Sequence, residues 1–211
     1  MSERIKKPST KKYYDDVSVG KRTKQIVYLA EEEDKAAMFA QFIKSGDRKQ
    51  TVVVVRSKRR ADELCAYLKS QEIITTAIHG NHRAQQIEEA AKAFNASELN
   101  IIITTDMILQ ALDLKNIQTI INYDLPSEHE RYFSRLILVD EVGESISFVS
   151  AEEEGYLSII EMRLKDEIPQ EEIEGFVAAG DDKAVHSVKE RKKKPRHRKQ
   201  RLKKPRKAKE E

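Results

Sequence analysis

The sequence predicts an α/β domain, a mostly parallel sheet sandwiched by helices, followed by a basic tail. Three observations carry this. Residues 101–103 (III) and 119–121 (TII) are apolar without alternation, as a strand reads when helices cover both of its faces. Strand-like and helix-like stretches alternate at least three times before residue 100, which favours parallel strands joined by right-handed crossovers. From about Gly180 the core-building pattern stops, and the Lys/Arg run from Lys189 cannot bury enough apolar area to fold by itself.

In chain order, residues 1–23 are polar with Lys6, Lys7, Pro8, Lys11 and Lys12, and are expected to form a flexible basic arm. Gln25–Leu29 reads as a strand. A helix follows from Asp34 to Ser45, with Ala37, Met38, Phe42 and Ile43 at helical spacing and Gly46 as its stop. Thr51–Arg56 (TVVVVR) is the clearest buried strand, with Val53 and Val55 expected on opposite faces. Ser57 then caps a helix through Ala61, Leu64, Cys65 and Leu68. Ile73–Ile78 is the third strand and Arg83–Phe94 the third helix, with Ile87, Ala90, Ala91 and Phe94 along one side. After the two central strands, Pro126 opens a helix over 127–137. Ser145–Val149 (SISFV) alternates as an outer strand does, and Ala151–Leu164 reads as a helix turning Tyr156, Leu157, Ile160 and Leu164 inward. The strand ends should place Thr104, Thr105, Asp106 and Asp113 on one rim.

The formal charge of +3 conceals a division. Residues 189–211 hold 14 Lys or Arg against 3 Glu, a charge of +11, which leaves −8 on the first 188 residues. The single cysteine, Cys65, excludes an internal disulfide and is expected to pack in its helix. With no apolar leader and no apolar run approaching 18 residues, the expected compartment is the cytoplasm and no membrane contact is expected. The five histidines are scattered, and His79 with His82 lack a third ligand nearby in sequence, so no metal is expected. The acidic runs Glu31–Asp34 and Glu152–Glu154 each precede a helix and read as solvated faces that suit its dipole.

Five segments in order resemble the second, C-terminal RecA-like domain of DEAD-box RNA helicases, a fold of the P-loop NTPase type. They are VVVVRSKRRADELCAYL at 52–68, AIHGN at 77–81, ITTD at 103–106, ALDL at 111–114 and IINYDLPSEHERY at 120–132. The stretch IEMRLKDEIPQEEIEGF at 160–176 and the tail after it resemble the bacterial RhlE-type branch. The domain division expected is an arm at 1–23, a RecA-like helicase C-terminal domain at 24–177 and a disordered Lys/Arg-rich tail at 178–211. The resemblance implies that Arg56, Ser57, Gly80, Thr105 and Asp106 face nucleic acid, and that Asp113 and Arg135 descend from nucleotide contacts. Each also has a local explanation: Ser57 and Asp106 as helix caps, Gly80 as a turn, Asp113 as a solvent-facing turn residue.

The departures from the family pattern decide the expected activity. Where the family reads A-A-R-G-L-D after ITTD, this chain has Ile108, Leu109, Gln110, Ala111, Leu112 and Asp113. Ala84 and Ile87 stand where the family has glutamine and arginine. In the segment Y-x-H-R-x-G-R-x-G-R only Arg135 survives of the arginines; Leu138 and Glu141 occupy the positions of the two arginine fingers, and the following loop is about three residues short. Neither G-x-x-x-x-G-K-[ST] nor Asp-Glu-Ala-Asp occurs among the 211 residues.

The expectation is a degenerate domain, lacking the first RecA-like domain, with no catalytic residue and no cofactor by itself. It binds RNA without sequence choice, chiefly through Arg191, Lys192, Lys193, Lys194, Arg196, Arg198, Lys199, Arg201, Lys203, Lys204 and Arg206. The alternative is one half of a split ATP-dependent helicase, using ATP and Mg only beside a separate first RecA-like domain. That domain, or a ribosomal or degradosome component, is the expected protein partner.

Overall fold

The structure, a computed structural model, describes residues 16–46 and 50–178. Its centre is a sheet of six parallel strands in the order β1-β6-β5-β2-β4-β3. These are β1 (Lys24–Leu29), β2 (Thr51–Val55), β3 (Thr76–Ile78), β4 (Ile101–Thr105), β5 (Ile117–Asn122) and β6 (Val139–Val149). An isolated bridge between Val27 and Gln170 borders β1. The helices are α1 (Asp16–Arg22), α2 (Lys35–Lys44), α3 (Lys58–Ser70), α4 (Ala84–Asn95), α5 (Asp106–Leu109), α6 (His129–Leu138) and α7 (Glu154–Leu164).

Crossovers that run towards β3 and those that run back lie on opposite faces, as a fixed crossover hand requires. Accordingly α2 and α3 pack on Val53, Val55, Ile103 and Ile121. On the other face α4 and α5 cover Val52, Val54, Ile102 and Ile120, while α1, α6 and α7 close over Val27 and Val149. Phe148 anchors the first face, with Phe39 and Tyr28 ring centroids 5.3 and 5.5 Å away. The expectation that Val53 and Val55 point to opposite faces is corrected: residues two apart in a strand share a face, so the opposite face belongs to Val52 and Val54. Cys65 is buried within α3, as expected.

Three further elements differ from expectation. The arm expected to run to residue 23 gives way to α1 at Asp16, whose Val19 is fully buried among α6 and α7 side chains. Gly20 in α1 lies so close to α7 that a Cβ there would overlap the Leu164 side chain, which accounts for a glycine inside a helix. The SISFV strand is not an outer one: β6 lies between β1 and β5. Its Ser145 and Ser147 are buried and accept hydrogen bonds from Asn122 Nδ2 at 3.2 and 3.0 Å, so the alternation records a polar ladder within the sheet. Residues 1–15 of the arm and the tail from 179 lie outside the described residues. Among the described residues no helix is long and apolar enough to cross a membrane.

Candidate nucleic-acid interface

The carboxyl ends of β2, β3, β4 and β5 bring most of the expected residues to one edge. A cleft of about 310 Å³ opens there, lined among others by Arg56, Asp106, Asp124, Pro126, Arg131, Arg135 and Tyr156. Arg56 ends β2 with an exposed side chain, and its backbone N–H donates to Asp124 Oδ2 at 2.9 Å. Ser57 caps α3, its Oγ accepting from the Arg60 N–H at 3.2 Å. The hydroxyl proton remains free to donate outward, since a serine oxygen can accept and donate at once. Gly80 is exposed after β3; a Cβ there would meet Lys58 and Met107 at 3.4 Å, ordinary contact. Neither backbone angle nor crowding within the chain therefore demands glycine at 80.

Asp106 and Arg135 are reassigned by geometry. Thr105, not Asp106, is the N-cap residue of α5, and it is buried. Both Asp106 carboxylate oxygens accept from Arg135, through Nε and Nη2 at 2.7 Å each. Arg135 is itself buried and donates from Nη1 to Asn122 Oδ1 at 2.7 Å and to the Asp124 carbonyl at 3.2 Å. A forked guanidinium satisfied on three sides is a strut between α5, β5 and α6. Both side chains border the cleft, with their polar groups engaged chiefly with each other and with Asn122.

Asp113 does not join this rim. Its carbonyl accepts from Asn95 Nδ2 at 2.8 Å, and Asn95 ends α4 just before the chain enters β4 from the opposite end. Asp113 thus lies level with the starts of the strands, its carboxylate exposed and 3.9 Å from Lys115 Nζ. At that same end α6 runs through Leu138 straight into β6. No loop intervenes where the family pattern carries its arginines. Instead β6 bulges against β5: Ile117 pairs with Val139 and Thr119 with Glu144. Gly143 permits the bulge, because a Cβ would stand 2.7 Å from the Gln118 carbonyl oxygen and also overlap Val139. Gly143→Ala is expected to cost about 1–3 kcal/mol through overpacking, read as a lower midpoint in urea at unchanged m-value.

Glu153, expected on a solvated face, belongs instead to a second buried lattice beside the cleft. Lys35 is fully buried, with Nζ 2.7 Å from Glu153 Oε2 and 5.4 Å from the Tyr123 ring centre. Glu153 also accepts from the Leu125 N–H at 2.9 Å and the Ser150 N–H at 3.1 Å, which corrects its place on a solvated face. Asp124 is held 2.8 Å from Arg60 Nε, an ion pair whose N–H is not aligned for a hydrogen bond. Burial pushes the Asp124 carboxyl above its usual range, with the Arg56 N–H and Arg60 opposing. The signal for this lattice was present as Asp124 in IINYDLP and as charges flanking α2 and α3, but it named no pairs. The tail cations from Arg191 to Arg206 lie outside the described residues.

Comparison with known proteins agrees with this architecture. Residues 34–136 match the helicase conserved C-terminal domain. The ATP-dependent RNA helicase vasa of Drosophila melanogaster is 34% identical over 130 residues, 62% of this chain and 17% of vasa. The chain therefore spans under a fifth of that relative's length. E. coli DEAD-box protein SrmB, solved bound to regulator of ribonuclease activity A, superimposes with a TM-score of 0.67 at 23% identity, covering 71% of this chain and 90% of that one. S. cerevisiae Dbp5, solved with RNA and ADP BeF3, gives 0.67 at 20% identity over 76% of this chain and 44% of Dbp5. Residues 34–136 thus carry a helicase conserved C-terminal domain, and the chain is similar in sequence to DEAD-box RNA helicases and in fold to their C-terminal domains.

Proposed function

We propose that this chain binds RNA without turning over ATP, as a helicase C-terminal domain stripped of its nucleotide-facing arginines and equipped with a basic tail. The observation that carries the reading is the direct passage from α6 into β6 at Leu138 and Val139. Phosphoryl transfer depends on positive charge placed against the developing negative charge, and an arginine finger contributes roughly 10³–10⁵ in rate. Leu138 offers no charge at its position, Arg135 is spent on Asp106, and Asp113 stands exposed beside Lys115. These residues do not fit ATP and Mg. RNA is the ligand, held by its phosphates through the tail cations without sequence choice, in the cytoplasm.

The purified full chain is expected to show no RNA-stimulated ATP hydrolysis above a buffer blank, and Leu138→Arg with Glu141→Arg is not expected to restore it. Turnover that copurifies with the chain and disappears in Asp113→Ala would contradict the reading. A second reading, one half of a helicase completed by a separate chain that brings ATP and Mg, is favoured by the retained ALDL and IINYDLP segments. Turnover that appears only when an ATP-binding helicase domain is added would favour it.

A further inference from the structure

Helix α7 covers the sheet with one face and leaves another bare. Leu157, Ile160 and Leu164 are buried, while Gly155, Ser158, Ile159 and Met162 come to the outside at the i, i+3, i+4, i+7 spacing of a helix-docking seam. Ile159 is 41% and Met162 72% exposed. A helix apolar on two faces normally has a second element to cover.

Gly155 adds an independent observation. The space its Cβ would fill is empty for 4 Å around, and its backbone angle is an ordinary one. Nothing inside the chain asks for glycine there, yet a glycine within a helix costs about 1 kcal/mol relative to alanine. A bare Cα on the outer stripe allows another backbone to approach closely.

Charge defines the partner. Along 151–167 the acids that are not buried are Glu152, Glu154, Glu161, Asp166 and Glu167, against Arg163 and Lys165. Two copies meeting through α7 would set these acids against each other, and like charges across an interface cost several kcal/mol. A helix of another protein with an apolar stripe flanked by Lys and Arg meets both requirements. We infer that the outer face of α7 docks such a basic amphipathic helix, its apolar side chains on Ile159 and Met162, its backbone over Gly155 and its cations against the flanking acids. Tyr156, which lines the cleft at the start of the helix, bounds the seam.

The test uses the isotope-labelled full chain and a synthetic peptide of about 18 residues, five helical turns, with leucine at seam positions and lysine elsewhere. A second peptide has the same composition scrambled so that the leucines fall all round. The amphipathic peptide is expected to shift the Gly155 and Met162 amide signals and to bind at least tenfold more tightly than the scrambled one. Met162→Glu and Gly155→Gln, both at exposed positions, should each weaken it at least tenfold without lowering the melting temperature and with RNA affinity unchanged. Equal binding of the two peptides, shifts confined to other elements, unchanged affinity in both variants, or no binding overturns the inference. Because RNA affinity is read separately, its failure and that of the RNA-binding reading are distinguishable.

Discussion

Arg135→Ala is expected to destabilise the domain by about 3–5 kcal/mol, the range for breaking a buried ion pair by removing one partner. The variant strands the Asp106 carboxylate and deprives Asn122 Oδ1 of its Arg135 donor at a site where Arg135 is nearly inaccessible. Against a typical total of about 5–15 kcal/mol this is a large share. In a chain of this size it lowers the melting temperature by roughly 6–20 °C, at about 2–4 °C per kcal/mol. Arg135→Lys should recover little, because an ammonium cannot form the two parallel bonds that Asp106 accepts from one guanidinium. Pairing Arg135→Leu with Asp106→Leu should cost less than the two singles together, since no charge is then left buried and unpaired. If Arg135→Ala melts with the parent, the strut is not structural and a nucleotide-facing role for Arg135 returns.

Deleting 189–211 is expected to remove most RNA affinity. The segment carries +11, whereas the remaining residues carry −8, so the body offers little long-range attraction of its own beyond a Debye length of about 8–10 Å. Each phosphate neutralised on a single strand contributes about −0.7 to the log–log salt slope, so a tail engaging about six phosphates loses on the order of 10²-fold between 50 and 200 mM salt. Arg56→Ala in the full chain should change affinity little, since Arg56 is one exposed cation beside Asp124 and Glu153. Gly80→Ala should leave folding unchanged, because the space for a methyl group is already there.

How much of this was legible in the sequence depended on whether the cause was local. TVVVV and III announced buried strands because apolarity on both faces is a property of the segment alone. Ser57 was readable as a cap for the same reason. The SISFV strand was misplaced because alternation does not distinguish solvent from an internal polar ladder; the Asn122 amide that satisfies Ser145 and Ser147 comes from another strand. Helix α1 was missed because only Val17 and Val19 mark it in seven residues, and its stability comes from packing on α6 and α7. Arg135 was assigned by motif position, but its partner Asp106 is 29 residues away in sequence and nothing local announced the pairing. The same holds for Lys35 with Glu153, 118 residues apart, each of which reads as one more surface charge. Asp113 was expected on the carboxyl rim because the residues that follow a strand lie there; the hydrogen bond from Asn95 to its carbonyl places it at the opposite end.

The most direct test of the account is the affinity of the full chain for single-stranded RNA at 100 mM salt, measured with and without ATP and Mg. On the proposed reading, with Leu138 and Glu141 at the arginine-finger positions, ATP has no such contact through which to alter RNA binding, so the two affinities are expected to agree within experimental scatter. A tenfold or greater tightening by ATP, lost in Asp113→Ala, would show a working nucleotide site and contradict the account.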